Sequence, residues 1–154
     1  MSAQLHLAKP ANLEKIVELV EAFHTETGIP SDDAHRRAAV EPLLHGHPYG
    51  AVYLIGPPRA PVGYIVLTFG WSIELGGMDG FVDELYIRPP VRGRGIATEV
   101  LQTLPKTLAG VGLKALHLEV DYENETALRL YGRARFEPRE RYFLMTKVLS
   151  KPGG

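Results

Sequence analysis

The sequence predicts an α+β fold: a mixed, mainly antiparallel sheet of six or seven strands flanked by helices. Three observations carry that expectation. Apolar residues recur at helical spacing near the amino terminus; from Ala51 the texture changes to short apolar runs parted by turns; and a strand, a glycine-containing turn and a helix follow one another over residues 80–104, with a further strand behind them. A chain of 154 residues fits one domain, here taken as 1–154.

The elements follow in order. Gln4 to Leu7 extend as a first strand. Asn12 stands where a helix cap belongs, and Leu13, Ile16, Val17, Val20 and Phe23 form a stripe that faces a core. Gly28-Ile29-Pro30 interrupts it, and Ser31, Asp32 and Asp33 offer a second cap before a helix running to about Leu44. Ala51–Ile55 and Val62–Phe69 flank a Pro- and Gly-containing turn and read as an antiparallel pair. Another strand is expected after Gly76-Gly77, and Phe81–Ile87 continues the sheet. Beyond Gly93, Ile96, Val100, Leu101 and Leu104 share one helical face, which Pro105 is expected to kink or shorten. Ala115–Val120 alternates as a strand and, following a strand and a helix, should run parallel to the strand ending at Ile87. Thr126–Ala134 reads as a short helix, Arg141–Val148 as a closing strand, and residues 151–154 as a frayed tail.

Composition narrows the function. Lys and Arg total 17 against 18 Asp and Glu, a net charge of −1, so no global field draws the chain to nucleic acid or an anionic membrane. Cysteine is absent, which removes disulfides and thiol nucleophiles and fits a reducing compartment. The amino-terminal residues show no charged leader with an apolar run, and nowhere do about 18 apolar residues occur in succession, so a cytoplasmic chain outside the membrane is expected.

The chemistry concentrates between Arg88 and Thr98. Pro89 and Pro90 stop a strand, and Gly93 and Gly95 let backbone amides approach a ligand closely. The turn then enters a helix amino terminus, where unpaired N–H groups and the helix dipole favour an anion. Arg92 and Arg94 add fork-shaped donors suited to phosphate, and a pyrophosphate is the natural occupant. A dinucleotide-binding fingerprint fits less well: Glu119 stands about 24 residues beyond Gly95, but Thr98 occupies the third glycine position and hairpins precede the turn. No GxxxxGK[ST] sequence occurs.

Arg92-Gly93-Arg94-Gly95-Ile96-Ala97 resembles the Arg/Gln-x-x-Gly-x-Gly/Ala cofactor turn of the GNAT superfamily of N-acetyltransferases. Leu85-Tyr86-Ile87-Arg88-Pro89 is similar to that family's Leu-x-Val-x-Pro strand, and Asn124 to Tyr131 to its Asn-x-x-Ala-x-x-Leu-Tyr helix. The resemblance covers most of residues 4–148 and is specific over about 80–136. It implies a sheet split where the strands ending at Ile87 and Val120 diverge, with acetyl-CoA as acetyl donor in the split. Leu85, Tyr86 and Ile87 would carry the pantetheine arm; Arg92, Gly93, Arg94, Gly95, Ile96, Ala97 and Thr98 would hold pyrophosphate; and Asn124 would bond the pantetheine amides or simply cap its helix. One departure stands out. The family's usual Gly-Phe after that helix is Arg135-Phe136 here, so Arg135 must adopt a strained exit or leave by another path.

Transfer to an amine needs a base for the ammonium and an acid for the departing thiolate. Asp83 and Glu84 precede the cofactor strand; alternation along a strand permits only one of them on the active face. Asp83 shares parity with Leu85 and Ile87 and, by resemblance to spermidine/spermine acetyltransferases, takes the place of a glutamate, so it is favoured as base with Glu84 second. Tyr131, by the same resemblance, is the expected acid. An acidic, aromatic-lined acceptor pocket is sketched by Trp71, Glu74, Asp79, Asp83 and Glu84 with Glu26, Asp32 and Asp33. The expected reaction is direct attack in a ternary complex on a small-molecule or protein amine, in a chain that forms a possible homodimer; the alternative is a non-catalytic acyl-CoA sensor. His45-x-His47 and Glu21-x-x-His24 lack a third ligand, so no metal is expected. Gly70-Trp71-Ser72-Ile73-Glu74 lacks the second glycine of a hydrolase elbow, and His117 reads as a packed or surface residue.

Overall fold

A computed structural model of the chain describes residues 4–150. Its order is β1 (Leu5–Leu7), α1 (Leu13–Thr27), α2 (Asp33–Leu44), β2 (Gly50–Ile55), β3 (Gly63–Ser72), β4 (Gly77–Ile87), α3 (Ile96–Ala109), β5 (Ala115–His117) and α4 (Glu125–Arg133). The five strands form one sheet in sequence order. The pairs β1–β2, β2–β3 and β3–β4 are antiparallel, while β4–β5 is parallel, which makes this the expected mixed α+β architecture.

Each face of the sheet buries its own cluster. On one, Ile16, Leu19 and Val20 of α1 and Val40 and Leu44 of α2 pack on Val52, Leu54, Tyr64, Val66 and Tyr86. On the other, Val100, Leu101, Leu104 and Leu108 of α3 pack on Ile55, Ile65, Leu67, Val82 and Ile87. Fully burying one such side chain contributes about 1.5–3 kcal/mol, so the apolar stripes anticipated for α1 and α3 are what pin both helices to the sheet.

Several local expectations are corrected. Asn12 precedes α1 but its Oδ1 accepts from the Lys9 amide at 2.9 Å, closing a 3-10 turn over Pro10–Asn12 instead of capping the helix. Asp32 does cap α2, accepting from His35 N at 2.7 Å. The separate strands expected around Gly77 and Phe81 are one continuous β4. Helix α3 runs through Pro105 to Ala109, so the proline does not shorten it.

The strand count differs from six or seven. Ala115–Val120 pairs only through His117, and Arg141–Val148 forms no strand among the described residues. Tyr142, Phe143, Leu144, Met145 and Val148 are exposed there. Strand propensity is a statement about fitting a pleated surface, and this segment has no ladder partner to fit. As a result β5 ends the sheet instead of lying inside it. The tail 151–154 lies outside the described residues.

The chain leaves α4 through Arg135 at φ 69°, the one non-glycine residue with positive φ among the described residues. Phe136 N donates to Tyr131 O at 3.0 Å across this exit. The departure from Gly-Phe is thus accommodated by strain, not by another path. Arg135→Gly is expected to raise the unfolding free energy by about 1 kcal/mol in denaturant melts, the left-handed cost less what glycine's freer unfolded chain gives back.

Candidate active site

Strands β4 and β5 pair only at Asp79–Ala115, Gly80–Leu116 and Phe81–His117. Beyond that point the chains part, and a cleft of about 990 Å³ opens between them. Its walls are Val82–Ile87 from β4, Leu118–Asp121 after β5, the turn and first residues of α3, and α4 with Asn124, Leu130 and Tyr131. Phe23, Glu26 and Thr27 from the end of α1 close one side. The splay anticipated between the two parallel strands is present.

Along its opposite edge β4 is paired with β3 throughout, with one irregularity. Val66 faces Glu84 and Leu67 faces Val82, which leaves Asp83 without an opposite residue. This is a β-bulge, and a bulge re-aims side chains. Asp83 and Glu84 both line the cleft, as does every residue from Val82 to Ile87, because the edge of β4 forms its wall.

The two carboxylates differ in surroundings. Glu84 accepts at Oε1 from the Tyr64 hydroxyl, 2.8 Å away, and its Oε2 lies 2.6 Å from His24 Nε2. His24 Nδ1 in turn lies 2.7 Å from Ser31 Oγ. Asp83 lines the cleft and receives no hydrogen bond from the described residues. Although the residue is open to the cleft, the protein around its carboxyl removes enough water to push it above the ordinary carboxylate range; Glu84 and then Glu119 push the same way, and His24 opposes them. Burial, with the Glu84 charge and hydrogen bond, drives the Tyr64 phenol far upward, so it stays a donor.

Gly93 and Gly95 both take φ 78°, and Gly95 caps α3 in the left-handed region. A Cβ would meet nothing within 4 Å at either position, so these glycines are needed for backbone conformation, not for clearance of protein atoms. The first-turn amides of Ile96, Ala97 and Thr98 have no intrahelical acceptor, and all three residues line the cleft. Arg92 lines the cleft and is also tied to protein. Its Nε donates to Ile87 O and its Nη2 to Glu26 Oε2, both at 2.8 Å, with the guanidinium 5.5 Å from the Tyr86 ring centroid. Two of its five N–H donors are thereby engaged by protein. Arg94 is exposed and stands outside the cleft lining.

Leu85 packs toward the α3 side, while Tyr86 is buried against Phe23, at a 5.8 Å ring separation, and Ile87 is buried on the α3 face. Asn124 caps α4, its Oδ1 accepting from Ala127 N at 3.0 Å, and it lines the cleft as well. Tyr131 is half-buried on α4 beside Phe136, and burial raises its phenol above the usual value.

The broad acidic pocket does not assemble. Of its members only Glu26, Asp83 and Glu84 line the cleft. Asp32 caps α2, Asp33 pairs with Arg37, Glu74 pairs with Arg139 and Trp71 is exposed. Asp79 lies 3.1 Å from His117 in a separate hollow of about 220 Å³. His24, Tyr64 and Ser31 were not anticipated as site residues; His24 stood out only as a ligand-type side chain. No helix among the described residues is long and apolar enough to cross a membrane.

Residues 13–136 match the model of the acetyltransferase (GNAT) family, and the chain belongs to that family. It is 36% identical over 75 residues to the N-alpha-acetyltransferase MAK3 of Arabidopsis thaliana, covering 49% of this chain and 38% of that protein. It is 33% identical over 66 residues to an acetyltransferase of Pectobacterium atrosepticum, covering 41% and 47%. The matches thus span about half or less of these curated relatives. An integron cassette protein from the mobile metagenome of Cole Harbour Salt Marsh is similar over 97% of this chain and 92% of its own, with 33% identity and a TM-score of 0.84. AAC(6')-Iy in complex with the bisubstrate analog CoA-S-monomethyl-acetylneamine shares the fold, with a TM-score of 0.78 and 18% identity over 96% and 99% of the two chains.

Raising the Asp83 carboxyl has a sign for stability. A group whose folded value lies above its unfolded one weakens the fold when ionised: fully above the raised value, not at all below the ordinary range. Asp83→Asn is expected to raise the melting temperature near pH 7, with the gain over the parent shrinking as pH falls through the carboxylate range in thermal melts.

Proposed function

We propose that the chain is an acetyl-CoA-dependent N-acetyltransferase that passes an acetyl group to a primary amine by direct attack within a ternary complex. The observation that carries this is the cleft at the parting of β4 and β5, ending on the amides at the start of α3. Acetyl-CoA, when bound, supplies a thioester carbonyl to attack and a thiolate to leave. The residues fit such a ligand: unsatisfied amides of Ile96, Ala97 and Thr98 suit the pyrophosphate, and the free edge of β4 over residues 82–87 suits the amides of the pantetheine arm. Asn124, with its oxygen committed to α4, keeps its NH₂ for the same arm.

Asp83 is the base in this proposal. It faces the cleft with its oxygens unbonded by protein, and a carboxyl above the ordinary range is a better proton acceptor near neutrality than an unperturbed one. It takes a proton from the ammonium, directly or through water, and the freed nitrogen attacks the carbonyl. As the C–S bond breaks, the thiolate takes the proton of Tyr131, whose burial keeps the phenol protonated, and the second proton lost by the attacking nitrogen passes through water to restore that phenol. Glu84, with both oxygens engaged, is less suited to the chemical step. The acceptor is a small-molecule or protein amine; AAC(6')-Iy, whose complex carries a CoA bisubstrate analog, supports a small-molecule acceptor. The reaction is placed in the cytoplasm.

A thiol-release assay with acetyl-CoA and a panel of amines should give turnover with at least one acceptor. Tyr131→Phe is expected to lower kcat by about 10²–10⁴-fold while calorimetric CoA affinity holds. An acyl-CoA sensor would bind the coenzyme with no turnover for that substitution to remove.

A further inference from the structure

Two adjacent carboxylates, Asp83 and Glu84, line a partly dehydrated cleft, and such a pair resists double ionisation unless one charge is offset. The structure offsets one. Glu84 is held from both sides, by Tyr64 from β3 and by His24 from α1, and the two side chains of the His24–Glu84 pair are only 12% and 17% exposed. Asp83 has no such partner.

We propose that His24 is a positioning residue for acetyl transfer: it holds Glu84 in a neutralised pair so that Asp83, beside it, stays free and ionised to accept the amine's proton. This rests on the proposed acetyltransferase reaction but adds to it a residue outside the sequence motifs.

The geometry accommodates the charged form of the pair. With both ring nitrogens protonated, Nε2 donates to Glu84 Oε2 at 2.6 Å and Nδ1 donates to Ser31 Oγ at 2.7 Å. Ser31 is itself held, its Oγ accepting from Arg36 Nη1 at 3.1 Å and its carbonyl from the same nitrogen. Arg36 is buried on α2. The chain Arg36–Ser31–His24–Glu84–Tyr64 thus ties the α1–α2 connection to the centre of the sheet, and Phe23, 6.0 Å from the His24 ring and 6.4 Å from the Tyr64 ring, packs along it. The groups that act on Asp83 are Glu84 on its own strand, Glu119 across the cleft and His24 from α1; the first two oppose its ionisation and the third favours it. Removing the imidazolium leaves Glu84's charge uncompensated, and Asp83 then holds its proton to higher pH.

The test is the titration of the Asp83 side-chain carboxyl by NMR, which requires no acceptor, alongside the acid limb of the kcat/KM profile. His24→Gln keeps a donor toward Glu84 but removes the charge, and should move both midpoints up by about 0.5–1 pH unit. Glu84→Gln should move them down, and the double variant should return toward the parent. Midpoints that coincide in all four proteins, with only the melting temperature lowered, would reduce His24 to a structural role and overturn the proposal. Should His24→Gln fail to fold, His24→Asn, a shorter side chain that also removes the charge, carries the same test: an upward shift supports the pairing, an unmoved midpoint refutes it. A parent protein that titrates as described yet shows no turnover contradicts the acetyltransferase reading and leaves the pairing standing.

Discussion

Everything functional in this fold depends on β4 having two partners for only three residues. Through Phe81 its backbone is satisfied on both edges, by β3 and by β5; past that point β5 stops and the second edge of β4 turns to a cleft. Main-chain N–H and C=O groups need partners, so such an edge is a template for a ligand rich in amides. The same parting leaves room for α3 to begin beside it. A single topological event therefore brings a main-chain ladder and a helix amino terminus to the two ends of one groove, which is the arrangement the proposed use of CoA requires.

The adjacent pair Asp83 and Glu84 on the cleft edge of β4 is the second determinant. The fold must manage the repulsion of two neighbouring acids. It does so by treating them unequally: one is tied by two short hydrogen bonds, the other left toward the cleft. Division of labour between neighbouring carboxylates by environment is a general way to separate roles that identical chemistry would merge.

How much of this was legible in the sequence depends on range. The α1 and α3 stripes, the Asp32 cap and the Gly93–Gly95 turn are local patterns, and each lies where its residues indicate. The parallel pairing of β4 and β5 followed from handedness and order. Arg135 could be flagged as a conflict because its neighbours match a pattern that wants glycine, and the conflict is carried as a positive φ. What failed was non-local. His24 meets Glu84 across 60 residues and Tyr64 meets it across 20, with no spacing rule to link them. Likewise nothing local marks Glu26, 66 residues away, as a partner of Arg92. Arg141–Val148 has strand composition, but composition does not supply an edge to pair with.

The most direct measurement of the central claim is an amide NMR titration of the assigned protein with CoA. Resonances of Val82–Ile87 and Gly93–Thr98 should shift together and saturate at one stoichiometric site, while NAD at the same concentration leaves them in place. Shifts confined to other parts of the sheet, or an equal response to NAD, would contradict the account of the cleft given above.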